Sequence, residues 1–246
     1  MVTTRSASRA ASVAPSLPPP TSPTSPTSST STSRQSWTHT PTRLTLLWFG
    51  LSLPLVIWDT GYVLLRPLTM EGGSLHYPLY TPYKLYGEVD HVYGWKAFHA
   101  HNGFTAAQGS LNVVETLMYL FYVAWYVFKG QKVVVKSQVK GKGKGEKEGG
   151  KEKTKKVLTG RPAALAVLVA FSAAVMTLSK TVLYWLNEYF SGFDNIGHNS
   201  REDLILLWII PNGLWLIFPT YMIYSMGSEI VTGLTNASAA PAIKSE

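Results

Sequence analysis

The chain has 246 residues, no cysteine and a formal net charge of +8, which excludes disulfides, zinc–thiolate centres and thiol nucleophiles. Of its 22 Lys and Arg, 12 fall within Lys129–Arg161. The basicity therefore belongs to one segment, and with no basic–aromatic interleaving it does not read as a nucleic-acid surface. The length suits one ordinary domain or a small helical membrane protein with tails.

Residues 1–43 are dominated by Ser, Thr and Pro, with PSLPPPTSPTSPTSSTSTS at the centre. Such a segment buries too little apolar surface to offset its chain entropy, so a disordered tail is expected. With no apolar run near Met1, no cleaved secretory signal is expected either. Leu44–Leu65 reads as the first membrane span. Pro54 removes one backbone donor there and predicts a kink, while Asp59 near its far end should face an interior or a watery cavity.

Arg66–Gly103 is rich in Pro, Gly, Tyr and His, a composition suited to a membrane–water interface. His76, His91, His99 and His101 match no ligand spacing and read as surface or interfacial residues. The second span is Thr105–Phe128. Gln108 and Glu115, seven residues apart with Asn112 between them, share one face of that helix. Such a stripe should point inward, either bonding a neighbouring helix or lining a ligand cavity.

Lys129–Arg161 is a Gly/Lys/Glu connector, expected to be flexible. By the positive-inside rule it lies in the cytosol, which with four spans places both termini there and the aromatic loop in the lumen. Lys180 in the third span, Pro162–Tyr189, either pairs with a carboxylate or snorkels to the lumenal interface. The fourth span, Leu204–Met226, has 23 residues, about 34 Å of helix against a hydrocarbon core of about 30 Å. Its one strongly polar side chain is Asn212, which needs a hydrogen-bond partner in mid-membrane. A polar tail, Gly227–Glu246, follows; its Asn236-Ala237-Ser238 sequon falls on the expected cytosolic side.

Counted from the cytosolic ends Leu44, Phe128 and Met226, Asp59 lies 15 residues in, Glu115 lies 13 in and Asn212 lies 14 in. At about 1.5 Å per residue all three sit about 20–22 Å deep. One buried polar site ringed by Trp58, Trp185 and Trp215 is expected. The fold class is thus an all-α membrane protein, a four-transmembrane-helix bundle with a disordered N-terminal tail.

WDTGYV at 58–63, YKLYGEVDHVYG at 83–94, VLYWLNEYFSGFDNIGH at 182–198 and PNGLWLIFP at 211–219 together resemble the emopamil-binding protein, or EXPERA, superfamily over roughly residues 44–226. That superfamily includes the Δ8-Δ7 sterol isomerase of the endoplasmic reticulum and sigma-two receptor type binders. The resemblance implies an endoplasmic-reticulum protein with a cavity for sterols or cationic amphiphiles and no cofactor. In the isomerase branch an acid protonates the sterol double bond, a carbocation forms and a neighbouring proton leaves to a base. By motif position Asp59 and Asp90 match family acids, and Asn212 and Trp215 match a polar–aromatic pair. Tyr184 and Trp185 fall in the third matching piece and are expected at the ligand. Two positions depart from the isomerase pattern. Its first-span His is replaced within Pro54-Leu55-Val56-Ile57, and its second-span Glu aligns with Gln108.

Three functions follow. The first is a sterol isomerase-like enzyme using Asp59, Glu115 and Asp90, with Gln108, Tyr184, Trp185, Asn212 and Trp215 at the substrate. The second is a non-catalytic sterol or lipid binder. The third is a membrane adaptor acting through the basic loop and the tail. The partners implied are a sterol or other hydrophobic small molecule and the bilayer, with no metal and no nucleic acid; a homodimer stays open.

Overall fold

The structure, a computed structural model, describes residues 37–136 and 152–238. What was expected of 1–36, 137–151 and 239–246 lies outside the described residues. Four long helices dominate: α1 (Arg43–Leu64), α4 (Phe104–Lys129), α5 (Gly160–Phe190) and α6 (Arg201–Ser238). Each is long and apolar enough to cross a membrane. Two short helices, α2 (Pro82–Val89) and α3 (Trp95–His99), fold within the segment between α1 and α4.

α1 is capped by Thr42, whose hydroxyl accepts from the Thr45 amide at 3.1 Å, and runs unbroken through Pro54. α5 is central. It presents Ala163, Ala166, Ala170, Ala173 and Ala174, all fully buried, to its neighbours. Side chains this small let helix backbones approach closely. α4 and α6 pack on α5, and α1 packs on α4. α1 meets α6 through Trp48, which stacks on Phe218 at 4.3 Å and meets Trp215 edge-on at 5.0 Å. Tyr221 near the middle of α6 donates to Thr42 at the start of α1, at 2.9 Å. Apolar side chains such as Leu47, Phe128 and Ile217 stay exposed on the outside of these helices.

The structure departs from expectation in four regions outside the spans. The basic connector contains two antiparallel strands, β2 (Gln131–Lys136) and β3 (Glu152–Thr159). β1 (Thr38–His39) adds on the other side of β3. Val133, Val134 and Val135 in β2 and Thr154, Val157 and Thr159 in β3 are β-branched and favour strand, a signal that the Gly/Lys composition of the whole segment masks. The N-terminal tail expected to run to residue 43 is already held at His39. The buried His39 ring meets Glu229 Oε2 at 2.7 Å and Tyr122 OH at 2.7 Å.

α6 continues twelve residues past the expected end at Met226. Thr232, Thr235 and Ser238 donate their hydroxyls to carbonyls four residues back, so the polar composition is absorbed by the helix itself. Arg66–Gly103, in turn, does not simply lie along an interface. Tyr80 and Tyr83 are buried, and Tyr62 stacks on Tyr83 at 3.8 Å.

Candidate functional site

The loop after α1 is tied down by side chains reaching its backbone. Thr69 donates to the Tyr62 carbonyl at 2.7 Å, Tyr62 to the Tyr93 carbonyl at 2.9 Å, and Trp58 to the Leu79 carbonyl at 3.0 Å. The chain entering α3 comes against α2 where Gly94 lies on Gly87; a Cβ on Gly94 would stand 2.5 Å from the Gly87 carbonyl oxygen. The folded loop roofs a cavity of about 470 Å³, within the range of small-molecule sites. α6 contributes Leu207, Pro211, Asn212 and Trp215; α1 contributes Leu55, Val56, Trp58 and Asp59. Tyr83, Tyr86 and Tyr93 close the roof, and Gln108, Asn112, Lys180, Thr181 and Tyr184 come from α4 and α5.

One wall is a continuous polar chain. Asp59 accepts from Tyr83 OH at 2.9 Å and from Asn112 Nδ2 at 3.3 Å. Asn112 Oδ1 accepts from Lys180 Nζ. Lys180 also donates to Glu115 Oε2 at 3.0 Å, which takes a further bond from Thr177 at 2.9 Å. Gln108 Nε2 donates to the Lys180 carbonyl at 3.3 Å. The ammonium at one end of Asn112 fixes its amide orientation, so its NH2 must face Asp59. Burial and the nearby Asp59 carboxyl push the roof phenols of Tyr83 and Tyr93 up, so both remain O–H donors.

Behind the cavity, Asp90 is fully buried. It accepts from the Val92 amide at 3.0 Å, from Trp208 Nε1 at 2.9 Å and from Tyr184 OH. Burial pushes its carboxyl up to about 6, against the lowering effect of those three donors.

The expected site residues divide. Asp59, Gln108, Tyr184, Asn212 and Trp215 line the cavity, as does Trp58. Glu115 does not; Lys180 and Asn112 stand between it and Asp59, so the expected side-by-side pair of acids is replaced by an ion pair plus a separate carboxyl. Asp90 sits behind Tyr184. Trp185 packs on Trp208 at 4.7 Å rather than facing the cavity. Asn212 donates to the Trp208 carbonyl at 2.9 Å, inside its own helix. Lys180 pairs with Glu115 instead of snorkelling. Its place in the site was not legible from depth alone, because a helical side chain leans toward the N-terminus of its helix. That lean brings its Nζ back to the level of Glu115.

Among the described residues no three His, Asp or Glu side chains cluster as a metal site. His91 stacks on His198 at 4.0 Å, and its own burial and the facing His198 hold its imidazole low. No protein-family model, no characterised protein and no solved structure matches the chain.

Proposed function

We propose that the chain is a multi-pass membrane protein of the endoplasmic reticulum, with both termini cytosolic, that shifts a sterol double bond in the manner of the Δ8-Δ7 isomerases. The observation that carries this reading is the Asp59 carboxyl. It faces a cavity otherwise walled largely by aromatic and aliphatic side chains and is oriented by Tyr83 and Asn112. Asp59 in its acid form gives its proton to one alkene carbon, leaving a tertiary carbocation. The aromatic side chains of Trp58, Tyr83, Tyr86 and Trp215 line the cavity in which that cation forms, and aromatic rings stabilise a nearby cation. The resulting Asp59 carboxylate takes the proton from the carbon on the other side of the cation, and the double bond re-forms one position along. Atoms and electrons balance within the sterol, and no cofactor enters. In this reading both proton steps fall to Asp59, the carboxyl that lines the cavity, while Glu115 is engaged by Lys180 and Asp90 by Tyr184 and Trp208.

Sterol profiling of cells lacking Δ8-Δ7 isomerase tests this. Wild type should clear the accumulated Δ8-sterol, and Asp59→Asn should leave it in place. A second reading, a non-catalytic binder of the sigma-two receptor type, is favoured by Asp59 being the only carboxylate among the cavity-lining residues. Accumulation that persists with correctly inserted wild type would select that reading.

A further inference from the structure

Lys180 is an unusual wall for an apolar cavity. Its ammonium carries three N–H donors. Two are committed, to Asn112 Oδ1 and Glu115 Oε2, and the side chain borders the cavity at only 10 % exposure. The neighbouring donors of this wall already make bonds within the protein, the Gln108 and Asn112 amides through one N–H each. Gln108 Nε2 bonds the Lys180 carbonyl, Thr181 Oγ1 the Thr177 carbonyl at 2.8 Å, and Asn112 Nδ2 bonds Asp59. An ammonium N–H left without an acceptor on a largely apolar, mostly buried wall is costly. The occupant of the cavity is what can satisfy it.

We propose that the third N–H of Lys180 donates a hydrogen bond to an oxygen atom of the ligand, so that the cavity selects an amphiphile carrying a hydroxyl or carbonyl over the same skeleton without it. This rests on reading the cavity as a site for a sterol-like molecule, and it specifies how such a molecule is oriented. The oxygen lies on the α4–α5 wall, and the hydrocarbon lies against Leu55, Val56, Leu207, Pro211 and Trp215. A site built to hydrogen-bond a substrate oxygen rejects the analogue lacking it, because a buried polar group is then left unpaired. Glu115 is therefore a positioning residue. It holds the ammonium at the wall, and of the two only Lys180 borders the cavity.

The test is equilibrium binding of three probes of one sterol skeleton to the full-length protein in nanodiscs: the 3-alcohol, the 3-ketone and the 3-deoxy hydrocarbon. Wild type should bind both oxygenated probes about tenfold or more tighter than the deoxy probe, the margin of one charge-assisted hydrogen bond. Lys180→Met combined with Glu115→Leu removes the pair without stranding a buried charge. It should bind all three alike, with unchanged thermal unfolding showing that it folds. Equal binding of the deoxy probe by wild type overturns the inference while leaving the sterol cavity standing, as does discrimination that survives in the double variant. Binding of none of the three overturns both.

Discussion

Lys180 and Glu115 each lose hydration on folding, and the 3.0 Å contact between them, with Asn112 and Thr177 completing the set, offsets that loss. Glu115 Oε1 has no hydrogen-bond partner among the described residues, so this carboxyl depends on Lys180 more than a fully bonded one would. Lys180→Met alone should therefore destabilise the protein by about 3–5 kcal/mol, whereas Lys180→Met/Glu115→Leu should lie much closer to wild type. Denaturant unfolding of the purified protein reads both. Equal losses in the two variants would mean that packing, not charge, governs this spot. Asp90 makes a separate prediction through pH. Its carboxyl rises from its ordinary 3.8 to about 6 in the folded protein. Between those values the folded protein holds a proton that the unfolded chain has released. The stability it contributes is thus present at about pH 4, falls as pH rises toward about 6, and changes little above that, by of order 2–3 kcal/mol in all. Asp90→Asn cannot titrate, so the difference in stability between wild type and variant should vary across this window and be flat above it. A difference that is constant from pH 4 to pH 7 would remove Asp90 as the titrating group.

At the scale of elements, the alanine face of α5 sets how closely α4 and α6 approach. Ala170 is fully buried between them while Leu168, on the same helix, is 54 % exposed. Ala170→Leu should cost about 1–3 kcal/mol by overpacking, and Leu168→Ala should stay within about 0.5 kcal/mol; thermal unfolding of the two variants side by side decides it. The four long helices were legible because each contains a long, predominantly apolar run, and so was the inward stripe of Gln108, Asn112 and Glu115, because spacings of four and seven stack on one helix face. The roof was not. Tyr83, Tyr86 and Tyr93 reach the cavity only after the chain folds back from α1, through bonds such as Thr69 to the Tyr62 carbonyl that no periodicity encodes. β2 and β3 escaped for a different reason: their short β-branched runs are diluted by the Gly and Lys around them. His39 was invisible as an anchor because its partners, Tyr122 and Glu229, lie 83 and 190 residues away.

At the scale of the molecule, the helices sort the connecting segments onto two ends. β1, the β2–β3 pair and the last turns of α6 gather at one end, where His39 bonds Tyr122 and Glu229. The roof loop and the α5–α6 turn gather at the other, where Asn199 donates to the Val89 carbonyl at 2.7 Å and the Asn195 carbonyl accepts from the His91 amide at 3.2 Å. The charge follows the same division. Lys129–Arg161 holds 12 basic residues, against Arg66, Lys84, Lys96 and Arg201 in the segments at the opposite end. Short loops rich in Lys and Arg stay in the cytosol, so the proposed orientation puts the sheet inside and the roof of the cavity in the lumen. The turn at Gly72, where φ is +86° and nothing stands within 4 Å of a built Cβ, can carry an inserted Asn-Gly-Ser acceptor clear of the fold. In cells that acceptor should be glycosylated, while the native Asn236-Ala237-Ser238 should not. Modification of Asn236 with the inserted site left bare would invert the molecule in the membrane. It would place the sheet in the lumen and turn the roof of the cavity, with Tyr83 over Asp59, toward the cytosol.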